Sequence, residues 1–146
     1  MKLQKIIIVL FCCLVVACSH GPEPISYGKD ACTHCKMTIM DKRFAAELIT
    51  AKGKVFKFDA AECMAAFLGE NPAIADDAKS TFLVNAFTHP GQLTDARKAW
   101  FLQDSSFSSP MGGNLAAFLS RTSAEAAKKN RSAVIYNWLL LLSKSR

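Results

Sequence analysis

Between Phe44 and Trp138 the chain passes twice through one order of elements, and that order constrains the fold more than anything else in it. "FAAELIT" (44–50) and "KVFKF" (54–58) are short runs with β-branched and aromatic residues. The "AKG" between them suits a hairpin turn. "DAAECMAAFLGEN" starts with Asp59 and Glu62 at capping-box spacing, carries Met64, Phe67 and Leu68 at helical spacing, and ends at Gly69 and Pro72. "STFLVNAF" (80–87) returns to strand. The second pass reads "KAWFLQ" (98–103) as strand, "SSFSSPMGGN" as loop and "LAAFLS" (115–120) as strand. A short alanine-rich helix follows, "TSAEAAKKN" (122–130), capped by Thr122 or Ser123, then the strand "SAVIYNW" (132–138). "LLLLSKSR" can turn into a terminal helix, and "WLLLL" reads as core or interface packing, being far short of the roughly 20 residues a spanning helix needs. The order predicts a small two-layer α+β domain made of two pseudo-repeated ββαβ units.

The N-terminus sets the compartment. Lys2 and Lys5 precede 12 apolar residues, Ile6 to Ala17, the charged and apolar regions of a secretory signal. The run closes on V-V-A-C, which resembles the lipobox of bacterial lipoproteins, with Ala17 before the cleavage point and Cys18 after it. The expected division is a signal peptide over 1–17, a lipidated Cys18 with a polar, Pro-containing tether over 18–31, and a folded domain over 32–146. Ser19 rather than Asp after the lipid-bearing cysteine favours an outer membrane, so the expected location is extracytoplasmic and lipid-anchored. Cleavage removes Lys2 and Lys5 and takes the formal charge from +6 to +4. The remaining basic residues are scattered, which speaks against nucleic acid as a partner. No hydrolytic triad is visible and the acidic residues gather at no site.

The stretch "DACTHCKMTIMDK" (30–42) carries the chemistry. With Cys18 lipidated and Cys12 and Cys13 lost with the signal, the folded domain keeps an odd set of thiols, Cys32, Cys35 and Cys63. In an oxidising compartment Cys32 and Cys35 can form a disulfide. A thioredoxin-like C-x-x-C, however, follows a strand and opens a helix, and this one does neither. Zinc asks for four ligands, and His34, the fourth that could be counted, lies inside the C-x-x-C. A c-type haem needs histidine where Lys36 stands, and calcium and magnesium need oxygen donors. Thiolate and thioether sulfur favour Cu(I). If residues 35–39 are extended, Cys35 and Met37 point to one side and can share an ion. Met40 and Met64 read as core filling. Met111, in the loop "SSPMGGN" with two glycines behind it, is a candidate third donor.

The segments "CTHCKMTI", "DKRFAAELIT", "GKVFKFDAAECM" and "DARKAWFLQ…SPMGGNLAAF" together resemble the NosL family, nitrous oxide reductase accessory lipoproteins, over about residues 27–140. The resemblance implies a fold of two ββαβ-like halves. It also implies a membrane-tethered Cu(I) chaperone, not an enzyme, that delivers copper to nitrous oxide reductase or its maturation machinery. Carried over, the motif residues are Cys32, Cys35 and Met37, with Met111 next and Cys63 behind it. Many members carry glycine between the second cysteine and the methionine, where this chain has Lys36. The alternative from the same residues is a lipid-anchored thiol–disulfide oxidoreductase using Cys32 and Cys35.

Overall fold

The structure is a computed structural model and describes residues 21–145. The expected signal peptide and the Cys18 expected to carry lipid lie outside the described residues. Among those described, the strands are β1 (Ala46–Ile49), β2 (Val55–Phe58), β3 (Thr81–Ala86), β4 (His89–Asp95), β5 (Trp100–Gln103), β6 (Leu115–Phe118) and β7 (Val134–Asn137). The helices are α1 (Ala61–Glu70), a single turn α2 (Pro72–Ala75), α3 (Arg121–Ala127) and α4 (Trp138–Lys144). No helix among these residues is long and apolar enough to cross a membrane.

The two-unit order is what the sheet displays. In the first unit β1 is the middle strand, antiparallel to β2 and β3, and in the second β5 is the middle strand, antiparallel to β6 and β7. The units meet in a parallel pairing of β3 with β6, giving the order β2-β1-β3-β6-β5-β7. That junction is short. Ala86 stands opposite Ala117, and the Phe87 amide donates to the Ala117 carbonyl at 2.8 Å. Ala86 also pairs with His89, so β4 folds back through the turn at 87–88 along the opposite edge of β3, with a bulge beside Asn85 and Ala86.

Successive strand residues face opposite sides of a sheet, and here both sides are covered. Phe101, Leu115 and Ala117 join a cluster with Leu48, Phe82, Met64 and Leu68 of α1, and Trp138 of α4. Their chain neighbours Leu102, Ala116 and Phe118 join a second cluster with Ala124 of α3, Phe44 and Phe107. α3 thus lies on one face, against the strands of the second unit, while α1 lies on the other, across β1, β2 and β6 and beside α4. Two-sided burial explains why β1 and β6 are buried at every position instead of alternating. It also puts Glu47 wholly inside. Residues 23–30 cover that part of the first unit: the Glu23 amide donates to Glu47 Oε1 at 3.0 Å, Lys57 Nζ donates to Pro24 O and Asp30 Oδ2 at 2.9 Å each, and Asn85 Nδ2 donates to Tyr27 OH at 3.2 Å. The polar stretch expected to tether the domain is therefore bonded to the sheet from Glu23 onward.

One strand was not foreseen, and two expected helix caps are corrected. β4, "HPGQLTD", has no apolar alternation and contains Pro90; it forms because it pairs with β3 alone, where an edge tolerates proline. The N-cap of α3 is Ser120, whose side chain exchanges hydrogen bonds with Ser123, rather than Thr122 or Ser123. The N-cap of α1 is Ala60, with no side-chain bond, so Asp59 and Glu62 form no capping box. Both carboxylates turn instead toward the loops that carry the sulfur residues.

Candidate metal centre

The C-x-x-C sits at the tip of a small hairpin. Ala31 and Thr38 bridge its arms; the Cys32 amide donates to Met37 O at 2.8 Å, the Lys36 amide to Cys32 O at 3.0 Å and the Ile39 amide to Asp30 O at 2.9 Å. Ile39 is sealed in the core, and the Thr33 amide donates to Lys57 O at 2.8 Å, so the hairpin is fastened to β2 as well. The first turn of α1 brings Cys63 up beneath it. The sulfur atoms of Cys32, Cys35 and Cys63 all lie within 4.8 Å of one another. All three are free thiols; Cys32 and Cys63 are buried, and Cys35 is partly exposed. The cluster is therefore walled on one side and open on the other. Beside it lies a cleft of about 250 Å³, lined by His34, Glu62, Cys63, Ala66, Met111 and Gly113. His34 Nδ1 stands 3.9 Å from Glu70 Oε2 at its margin.

The thiols are not equivalent. A hydrogen bond from the Cys63 thiol, then the backbone amides of Asp59, Cys35 and His34, hold Cys32 far down, at about 4, against the opposing effect of burial. Cys63, the donor in that bond and buried as well, is pushed strongly up. Burial foremost raises Cys35, although the Met37 amide points at its sulfur. Cys32 is thus the most acidic thiol of the cluster, and a metal that takes all three must displace the protons that Cys35 and Cys63 hold more firmly. Burial also raises Asp59, which is sealed from water with Oδ1 unpartnered and accepts from the Met40 amide.

The structure brings Cys32, Cys35 and Cys63 together and sets Met111 on the adjoining cleft. Cys63, which the sequence ranks last, belongs to the cluster because the helix start that carries it is pressed against the hairpin. The extended backbone expected through residues 35–39 is not found: Lys36 has φ +66°, and a turn separates Cys35 from Met37. Met37 is half exposed at that turn, and its convergence with Cys35 cannot come from strand alternation. Met64 is core, as expected, whereas Met40 is 67% exposed and fills no core at all. Sequence reasoning missed Glu62 and Ser109, whose side chains bond each other across the site. The signal was an acidic residue at the third position of a helix flanked by cysteine, which reads equally well as a cap.

The left-handed Lys36 gives a direct test. A side chain in that region costs about 1–2 kcal/mol, and glycine removes this cost while giving back about 0.5–1 kcal/mol of chain entropy. Lys36→Gly is expected to stabilise the protein by roughly 0.5–1 kcal/mol, read as a higher thermal midpoint. A lower midpoint would mean that the Lys36 Nζ bond to Thr33 O matters more than the backbone.

Compared with known proteins, the chain matches the NosL family over residues 25–137. No curated protein matches it significantly. Among solved structures it resembles the crystal structure of the copper chaperone NosL from Shewanella denitrificans, with a TM-score of 0.68 and 23% identity. The match covers 82% of this chain and 93% of that one. At this identity the likeness is one of fold.

Proposed function

The chain belongs to the NosL family, and from that premise we propose that it is a non-enzymatic copper chaperone, tethered to the membrane through lipid on Cys18, which carries Cu(I) to an extracytoplasmic acceptor, nitrous oxide reductase or its maturation machinery. The observation that carries this reading is the group of three cysteine sulfurs within 4.8 Å of one another, next to a cleft lined by a methionine and a histidine. Soft sulfur donors prefer Cu(I) over the harder divalent ions. The asymmetric burial suits a carrier rather than a store. Cys32 and Cys63 hold the cargo from below, while the exposed side, with Cys35, Met37 and Met111, is where an acceptor's ligands can enter as these leave. Neutral thioethers add affinity without adding negative charge, which keeps the exchange reversible.

The test is a Cu(I) competition titration of the reduced full-length protein against a chromophoric chelator, with Zn(II) run in parallel. One equivalent of Cu(I) is expected, lost in Cys35→Ser and weakened about tenfold in Met37→Ala, roughly 1.4 kcal/mol. A preference for Zn(II), or no specific Cu(I) binding, would sink the reading. The second reading, thiol–disulfide exchange, is favoured by the depressed Cys32 thiol, since a thiolate is the attacking species. It requires a Cys32–Cys35 couple that cycles and an indifference to Met37→Ala.

A further inference from the structure

Glu62 and the loop bearing Met111 come from different units of the fold. Glu62 stands on α1, one residue before Cys63, while residues 109–114 link β5 to β6 in the second unit. Among the described residues the sheet joins these units only through the short β3–β6 contact, so backbone pairing does little to fix that loop over the thiols. The loop is itself well defined. Ser109 O accepts from the Gly112 amide at 2.9 Å, Ser109 Oγ accepts from the Asn114 amide at 2.9 Å, and Gly113 O accepts from Gln103 Nε2 at 2.9 Å. α1 packs on β6, and what bonds the loop itself to α1 is Glu62. The Ser109 hydroxyl donates to Glu62 Oε1, and Gly113 rests against the same oxygen, so closely that a Cβ there would lie 3.0 Å from it. Glu62 Oε2 is buried and makes no hydrogen bond, so apart from Glu62's own backbone amide the carboxylate's polar partners are on the loop.

We propose that Glu62 is a positioning residue for the copper site: through Ser109 and Gly113 it clamps the loop of the second unit so that Met111 stands over the cysteine cluster of the first. The inference rests on the copper-carrier reading above and assigns Glu62 no bond to the metal. It explains why the carboxylate is withheld from the helix cap that its spacing predicts. A capping Glu62 would leave the 109–114 loop with no bond to α1.

The experiment is a Cu(I) competition titration on full-length Met111→Ala, Glu62→Ala, Glu62→Gln and the Glu62→Ala/Met111→Ala double variant, with the sulfur count at copper read by X-ray absorption. Met111→Ala and Glu62→Ala are each expected to weaken binding roughly tenfold and to remove one sulfur scatterer. The double variant should be no weaker than Met111→Ala alone, because both changes remove the same donor. Glu62→Gln keeps an acceptor oxygen for Ser109 and Gly113 and should restore both affinity and sulfur count. Should Glu62→Ala fail to fold, Ser109→Ala breaks the same clamp from the loop side and carries the same expectation. Additive losses in the double variant, or a Glu62→Gln that behaves like Glu62→Ala, overturn the clamp. So does wild-type affinity in Met111→Ala, which leaves the copper-carrier reading standing. An absence of Cu(I) binding in the wild type overturns both.

Discussion

Cys63→Ser is expected to weaken Cu(I) binding at least a hundredfold, about 2.7 kcal/mol, and to cost more than the loss of any methionine. Serine is nearly isosteric, so helix α1 and its packing should survive. Its hydroxyl stays protonated at neutral pH and is a hard donor that Cu(I) avoids. Changes to residues that merely support a metal ligand cost ~10–100-fold, and Cys63 stands within 4.8 Å of both other sulfurs. A competition titration with Met37→Ala alongside ranks the two. If Cys63→Ser keeps its affinity while Met37→Ala loses it, the buried cysteine is a structural residue and the ligands lie on the exposed rim. The same variant has a pH signature. Cys35 and Cys63 are raised thiols, so wild-type affinity should climb as pH rises and their protons become easier to displace. With Cys63 replaced, one fewer proton competes and the climb should be shallower.

That ranking inverts the one available from the sequence, and the reason is physical. Thiols spaced C-x-x-C announce themselves because their separation is local. Cys63 is 28 positions from Cys35 and reaches it only because α1 packs under the hairpin, a contact between elements that no spacing records. Met111 was legible by a different route: a large apolar residue between Pro110 and two glycines has no helix or strand to serve, and it lines the cleft. The Cys35–Met37 alternation fails at one residue, Lys36, whose left-handed backbone a propensity argument does not assign to lysine.

The fold shows the same division. The paired ββαβ order was readable because most of its strands are short apolar runs closed by turn residues, and the sheet repeats one topology in each half. β4 was not, because a polar flap pairing along one edge needs no pattern of its own. The placement of α1 and α3 on opposite faces was hidden too. Strand residues in a sheet covered on both sides are apolar at every position, and such runs do not say which face a helix takes.

Phe101→Ala is expected to cost about 3–5 kcal/mol, a large share of the roughly 5–15 kcal/mol that holds a domain of this size together. Phe101 is wholly buried on the middle strand of the second unit, and its ring lies 6.1 Å from that of Trp138, which in turn lies 5.2 Å from Phe82 of the first unit. Removing the ring opens a cavity beneath α4 where the apolar packing of the two units meets, and a sheet paired on both sides has little freedom to collapse into it. In urea the midpoint should fall by ~2 M at unchanged slope. The thiol cluster is built from the hairpin and α1, so the same variant should still bind Cu(I). Copper then separates packing from ligation. At a free Cu(I) concentration of 100 Kd, binding adds about 2.7 kcal/mol to a state that holds the metal, and wild type and Phe101→Ala should gain it equally. Cys63→Ser, its core intact, should gain almost nothing at that concentration. If the copper-linked gain shrinks in Phe101→Ala as well, the site does not survive loosening of the shared core, and ligand geometry and core packing form one cooperative unit.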